Sequence, residues 1–525
     1  MEITRKQLLH GVAAASACAM AAGTVSAFAD DATQIAWDAE YDVVVAGYGA
    51  SGAVAVIEAA DNGASVLLVD KAPEGREGGC SKANQSLITC TDNPDDFYTY
   101  MDALRGGFSY PTDSMLRMYC EEAAKNWDYL DYLGAPEADL NFHARGADLE
   151  DLPCADSVYV TTLSPSYYLF LQECVEERSN IEVWSESPII DCIQDPISKV
   201  ILGAVIEHEG KRLNIKAKGG VILGTGGFEA NLQMVESFFG ETRVGYTVSG
   251  YNTGDGVLIS MKYGANLVNM THGNAFGWCI FNEETGAATS LGRSVRNGGI
   301  FVAGDGVRFY NVSARARRGN QNFFGNHRPA ILPKVTYLVF DDATRAMGPV
   351  VAGYSEDGAA EIEAGLIIKG ETIEELAEKL GMVPETLAET VAAFNQGIID
   401  GNDPMGRSTS KCNPIEVPPF YAISLDRSIT NTEGGALRNE ASLAVNTFGE
   451  VIENLYVVGC MGCPTVGKDW NCGGNMSESI VFGRIAGAKA AAAARGEDPA
   501  NVKPIEVPAN TYTIPTREEV AAAKA

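Results

Sequence analysis

Tyr41-Asp42-Val43-Val44-Val45-Ala46-Gly47-Tyr48-Gly49-Ala50-Ser51-Gly52 is the stretch that decides the fold. A short apolar run enters a glycine turn, and an Ala-rich segment continues to about Asp61, where Asn62-Gly63 stops it. Ser65 to Val69 is a second apolar run, ending at Asp70. The spacing predicts strand, tight turn, helix and strand, the opening of a dinucleotide-binding βαβ unit. A Gly-x-Gly-x-x-Gly alone is a weak signal. Here it follows a strand, opens a helix and has an acid 18 residues after its last glycine, which makes it strong. Gly47, Gly49 and Gly52 allow the turn, the close approach of a diphosphate and helix–strand contact. The helix N-terminus at Ala50 and Ser51 supplies amide donors and a positive dipole. Asp70 would accept from ribose hydroxyls, with Lys71 beside it.

Further glycine turns are spread along the chain. Gly78-Gly79-Cys80-Ser81 follows the second strand. Gly224-Thr225-Gly226-Gly227 ends an apolar strand, and Thr253-Gly254-Asp255-Gly256 opens a helical pattern. Gly459 closes the last strand, and Gly473-Gly474-Asn475 precedes a helix that begins near Ser477 and carries Ser479 and Ile480. Turns this widely separated fit a long, extended cofactor touched at several points, which favours FAD over NAD. The fold class expected is α/β. A pair of helices, Thr372 to Leu380 and Pro384 to about Ile399, lies far from these turns and has its own capping signals.

The chain has 525 residues, 46% apolar and 21% charged, a globular composition. With 39 basic and 69 acidic residues the net charge is −30, which argues against nucleic acid as a partner. Residues 1–29 read as an export signal of the twin-arginine type. Arg5-Lys6 is followed by a weakly apolar Ala-rich run, and Ala27-Phe28-Ala29 reads as a cleavage site. The expected location is therefore periplasmic or at the cell envelope. The 12 cysteines are irregularly spaced and the histidines number five, so neither a disulfide scaffold nor a zinc site is expected. No metal site is assigned.

In order and spacing these segments resemble the fumarate reductase/succinate dehydrogenase flavoproteins. The similar branch is the soluble one, with flavocytochrome fumarate reductases, urocanate reductase and 3-ketosteroid dehydrogenases. The resemblance rests on Asp42–Gly52, Gly78–Ser81, Gly224–Phe228 with Asn231, and Thr253–Gly256. It continues through Gly306-x-Arg308-Phe309-x-Asn311, Pro419–Ala422, Gly434-Gly435 and Gly473 to Gly487. It implies a Rossmann-like FAD domain interrupted by a mobile α+β cap. The parts expected are FAD domain 40–267, cap 268–417, FAD domain 418–495 and a C-terminal extension 496–525. Hydride would pass between flavin N5 and a C–C bond beside an electron-withdrawing group, and a protein acid would exchange the proton. The histidine that attaches flavin covalently in respiratory members is missing from the Gly78–Gln85 segment, so the FAD should be non-covalent.

Departures from that pattern carry the substrate expectation. Dicarboxylate reductases clamp their substrate with a His before Gly434-Gly435 and an Arg before Gly473-Gly474. Here Asn431 or Thr430 takes the first place and Asn471 the second. Without a bidentate guanidinium a carboxylate loses its main anchor, and Glu433 and Asp469 further oppose an anion. A neutral, larger organic substrate is expected, such as an enone, steroid, unsaturated lactone or phenolic alkene, with Trp470 as an apolar wall. The proton donor register falls on Ala316, between Arg315 and Arg317. Either arginine is available, and Tyr337 is a reserve. Arginines there favour reduction over dehydrogenation. Cys460 stands where relatives often carry an acid. Cys460 and Cys463 read as inert buried thiols, and an iron–sulfur set with Cys472 is the weaker reading because no fourth ligand has recognisable spacing. Electrons would come from an external haem or flavin protein, membrane-linked in one reading. Three alternatives stay open: a fumarate- or urocanate-type carboxylate reductase, a 3-ketosteroid dehydrogenase, and a flavin electron-transfer subunit without alkene chemistry.

Overall fold

The computed structural model describes residues 35–83, 87–135, 140–143, 152–163, 166–274, 277–292, 295–311, 320–323, 326–329, 333–465, 467, 471–509 and 522. The fold is α/β. Its centre is a six-stranded sheet in the order Leu443–Val445, Val451–Val457, Val221–Leu223, Val43–Ala46, Val66–Val69, Ile181–Trp184. All pairs are parallel except the first, an antiparallel edge.

The strands alternate cleanly between two cores, as a period of two requires. Val43, Val45, Val66 and Leu68 face the helices Ala50–Asp61 and Gly474–Ala494. Val44, Ala46, Leu67 and Val69 face a second layer, which contains the four-stranded sheet built on Ile201–His208 and Lys211–Ala217. Both faces are covered, which is why these strands read as unbroken apolar runs. The C-terminal helix begins at Gly474, three residues before the expected start, because Gly473 adopts a left-handed cap with φ +80°.

The segment expected as the cap contributes to an eight-stranded sheet whose central member is Phe420–Ile429. Thr336–Asp341 pairs along one edge of that strand and Gly277–Phe281 joins it further on. Ile300–Ala303 and Arg308–Tyr310 extend the sheet. The expected helix pair forms as Ile373–Leu380 and Pro384–Ile399 and covers one face. Thr372 caps the first helix by accepting from Glu375 N at 3.1 Å. The cap sheet draws strands from both sides of the expected boundaries at 268 and 418. Val244–Tyr246 pairs with Phe420–Ile429, and that strand also carries the chain back toward the central domain. Among the described residues no helix is long and apolar enough to cross a membrane. Residues 1–29, read as an export signal, lie outside the described residues.

Candidate active site

A cleft of about 840 Å³ opens at the C-terminal ends of Val43–Ala46, Val66–Val69 and Val221–Leu223. This is where a doubly wound sheet places its ligand. Of the residues expected to hold a cofactor, Gly47, Gly49, Ser51, Asp70, Lys71, Gly78, Gly79, Cys80, Ser81, Thr225, Gly226, Asp255, Gly459, Asn475 and Ser479 line it. Ala50, Gly52, Gly227, Gly474 and Ile480 do not. Ala50 N donates to Ser81 Oγ at 3.0 Å, tying the helix start to the second glycine turn. Ile480 is fully buried in the core.

The three glycines of the first turn have different jobs. A Cβ at Gly47 would sit 2.3 Å from Gly224 O, on a backbone with φ +104°. A Cβ at Gly52 would sit 1.9 Å from Gly47 O. Both are demanded by the protein's own contacts. A Cβ at Gly49 would meet nothing nearer than Ser81 Oγ at 3.7 Å, so what it would fill is the cleft. The helix from Ala50 has no side-chain cap and no acid in its first turn, which leaves its N-terminus suited to an anion. These features fit a dinucleotide diphosphate.

Asp70 ends the second strand and accepts from Tyr48 N at 2.7 Å and Ala72 N at 2.8 Å. Burial pushes its carboxyl above the usual range, and the two amides oppose that rise. Lys71 Nζ pairs with Asp255 Oδ2 at 2.6 Å and joins the turn after the strand Val66–Val69 to that before Gly256. Ser187, Pro188 and Ile189 also line the cleft and have no signal in the sequence. Ser187 N donates to Asp70 O at 2.7 Å, and that long-range pairing is what brings this segment in.

Cys80, Asn252, Cys460 and Asn475 also line the cleft, and behind them lies a buried polar cluster. Glu229 accepts from Asn252 Nδ2 at 2.5 Å and from Cys80 Sγ at 3.2 Å, and Thr432 donates to its other oxygen. Glu433, 2% exposed, accepts from Asn475 Nδ2 at 3.1 Å and from Asn431 Nδ2 at 3.5 Å. The same two amides approach Cys460 Sγ at 3.5 and 3.7 Å. Burial, then the neighbouring Cys463 and Glu433, pushes the Cys460 thiol well up, so it is protonated at neutral pH. Burial does the same for Cys463. Neither is in a disulfide, and no metal-holding group of His, Cys, Asp or Glu forms among the described residues. Glu229 and Asn252 escaped the sequence reading. The available signal was an acid directly after Gly224–Phe228.

The structure separates the other expected site residues. Asn431 joins the cluster beside the cleft. Asn471 is buried and donates to Thr89 Oγ1 at 3.0 Å, which ties its loop to the strand Leu87–Cys90. Tyr337 packs with the core beneath the cap helices and is not among the cleft-lining residues. Arg308, in the motif before the arginine cluster, is held by Asp403, with Nη2 to Oδ2 at 3.0 Å. Arg315, Arg317 and Trp470 lie outside the described residues.

The model of the FAD binding domain family matches residues 42–475. The chain is 28% identical over 482 residues to the NADH:fumarate oxidoreductase of Klebsiella pneumoniae, covering 87% of this chain and 48% of that protein, about half its length. It is 26% identical over 482 residues to the urocanate reductase of Eggerthella lenta, covering 87% of this chain and 75% of that one. In fold it is similar to a 3-ketosteroid delta1-dehydrogenase from Sterolibacterium denitrificans, with TM-score 0.70 at 22% identity over 86% of this chain and 99% of that one. The matched span runs from the strand before Gly47, through the cap, to Asn475 at the head of the last helix. The chain therefore belongs to the FAD binding domain family, with FAD as the cofactor its glycine turns are built to hold.

Proposed function

We propose that the protein is an FAD-dependent oxidoreductase that reduces an activated C=C bond of a neutral or weakly charged organic substrate. The similarity to fumarate and urocanate reductases and to a ketosteroid dehydrogenase supports the reaction class. The observation that carries the substrate class is the Asn431–Glu433–Asn475 cluster. Where a carboxylate clamp would need cations, the described residues present amides, a thiol and a buried acid. An anionic substrate would meet the buried Glu433, and like charges brought together out of water cost several kcal/mol.

Bound FAD supplies or takes the hydride. The chain's own part is to hold the diphosphate on the Ala50 helix, the ribose on Asp70 and the substrate beside Cys80 and Asn475. The cap arginines Arg315 or Arg317 give the proton to the neighbouring carbon. A free guanidinium has a pKa above ~12, so that step needs electrostatic help to release the proton. The electron donor is a separate haem or flavin protein, and the mature chain is exported. A carboxylate reductase of the fumarate or urocanate type is the second reading, favoured by the relatives' own activities.

The test is anaerobic reoxidation of dithionite-reduced, FAD-loaded protein by fumarate, urocanate, a cinnamate, a 3-ketosteroid precursor enone and an unsaturated lactone. Rapid reoxidation by a neutral enone, lost in Arg315→Ala or Arg317→Ala, is the expected result. Rapid reoxidation by fumarate would select the second reading. No reoxidation by any alkene, with the arginine variants silent, would leave an electron-transfer role.

A further inference from the structure

Glu229 follows directly on the turn Gly224–Phe228 and is fully buried. Its Oε1 accepts from Asn252 Nδ2 at 2.5 Å and Cys80 Sγ at 3.2 Å, and its Oε2 from Thr432 N at 3.1 Å and Thr432 Oγ1 at 3.0 Å. Thr432 Oγ1 itself accepts from Phe228 N at 2.7 Å, which leaves the hydroxyl proton for Glu229. All four contacts are donors and both carboxylate oxygens are satisfied without a proton of their own. No described cation contributes to this set. Burial is the largest influence and leaves the carboxyl above its ordinary range, and the hydrogen bonds from Asn252 and Thr432 hold it lower than burial alone would. Cys80 and Asn252 line the cleft, so this acid sits one side chain behind its wall. Asp70 and the Ala50 helix take the ribose and diphosphate, which leaves the Cys80–Asn252–Asn475 end for the isoalloxazine.

We propose that Glu229 is a positioning residue that stays ionised, fixes Cys80, Asn252 and Thr432, and lowers the reduction potential of the bound flavin by its charge. Reduction brings negative charge onto the ring system, and a fixed carboxylate nearby in a low-dielectric setting opposes it. A low-potential flavin is what an enzyme passing hydride to a weakly activated alkene requires. The inference rests on the flavin occupying that end of the cleft, not on any one substrate.

The test is a potentiometric titration of FAD-loaded protein without substrate, so the outcome is independent of the alkene screen. Glu229→Gln, nearly isosteric, is expected to move the flavin midpoint to more positive potential. Glu229→Asp keeps the charge and is expected to leave the midpoint near its original value. An unchanged midpoint in Glu229→Gln, or an equal shift in Glu229→Asp, overturns the proposal. Should Glu229→Gln fail to retain flavin, the unaltered holoprotein decides. Its reduced flavin is expected to keep the N1 proton to higher pH than free reduced flavin, read from absorbance, and loss of that proton at the free-flavin pH overturns the proposal.

Discussion

Arg438 and Glu478 form an ion pair in which both side chains are fully excluded from solvent. Arg438 Nη1 also donates to Val457 O at 2.7 Å, and Gly459 N donates to Glu478 Oε1 at 3.1 Å. The pair thus bolts the last strand and the Gly459–Cys460 turn to the C-terminal helix, and that turn lines the cleft. Among the described residues Arg438 Nε and Glu478 Oε2 have no partner, so the pair is incompletely repaid for its burial. Removing one partner strands a charge and is expected to cost about 3–5 kcal/mol. Glu478→Ala or Arg438→Ala should lower the denaturant midpoint and release FAD. The double replacement Arg438→Met/Glu478→Leu should recover most of the stability. A double variant as unstable as either single one would contradict this account.

Gly49 and Gly52 are three residues apart and should fail differently. Gly52→Ala drives a methyl into Gly47 O and is expected to prevent folding of the central domain. Gly49→Ala meets only ordinary contacts within the protein and should leave the circular dichroism melt within ~1 kcal/mol of the original. It should nevertheless weaken FAD retention by tenfold or more, about 1.4 kcal/mol, because the methyl occupies diphosphate space. Flavin fluorescence on dilution separates the two effects.

The glycine turns and the apolar strands were legible because they are local, each fixed by near neighbours in the chain. The cap helices were legible for the same reason, through Thr372 and Gly381. Tyr337 was not, because its side depends on strand parity. Leu338 and Phe340 face one cap core, Tyr337 and Val339 the other beneath the helices. The cluster around Glu229 draws on residues 80, 229, 252 and 432, four segments that only the folded sheet brings together. Asn471 matches the position of a clamp arginine in the resemblance, yet its amide turns to Thr89, a contact with no sequence signature.

Asp403 should make the cap acid-sensitive. Burial raises its carboxyl, but Arg308 and the Arg407 amide more than offset that and hold it below the ordinary range. A carboxyl depressed in the folded state stabilises above its unfolded pKa of about 3.9, and that contribution fades as pH falls through the lower folded value. Unfolding of the unaltered protein should therefore show a loss of stability below about pH 4. Asp403→Asn should flatten that loss. It should also cost about 3 kcal/mol near neutrality, because Arg308 is then buried unpaired beside Arg407. Denaturant titrations at several pH values check both the slope and the offset.

Glu433 offers the sharpest control on substrate charge. Its carboxylate sits against Asn431 and Asn475, in the segment where the resemblance implies a clamp histidine at the place of Asn431 or Thr430. Glu433→Gln keeps the acceptor oxygen for Asn475 and removes the negative charge. Reoxidation of the reduced enzyme by anionic alkenes such as fumarate should then rise by roughly tenfold relative to a neutral enone, the equivalent of about 1.4 kcal/mol. The neutral acceptor should change by less than a few-fold. Adding Asn431→His to that variant should increase the preference for the anion further, since a protonated imidazole adds a cation beside it. Equal changes for anionic and neutral acceptors would mean that Glu433 acts on the flavin or the fold, and not on the charge of what binds beside it.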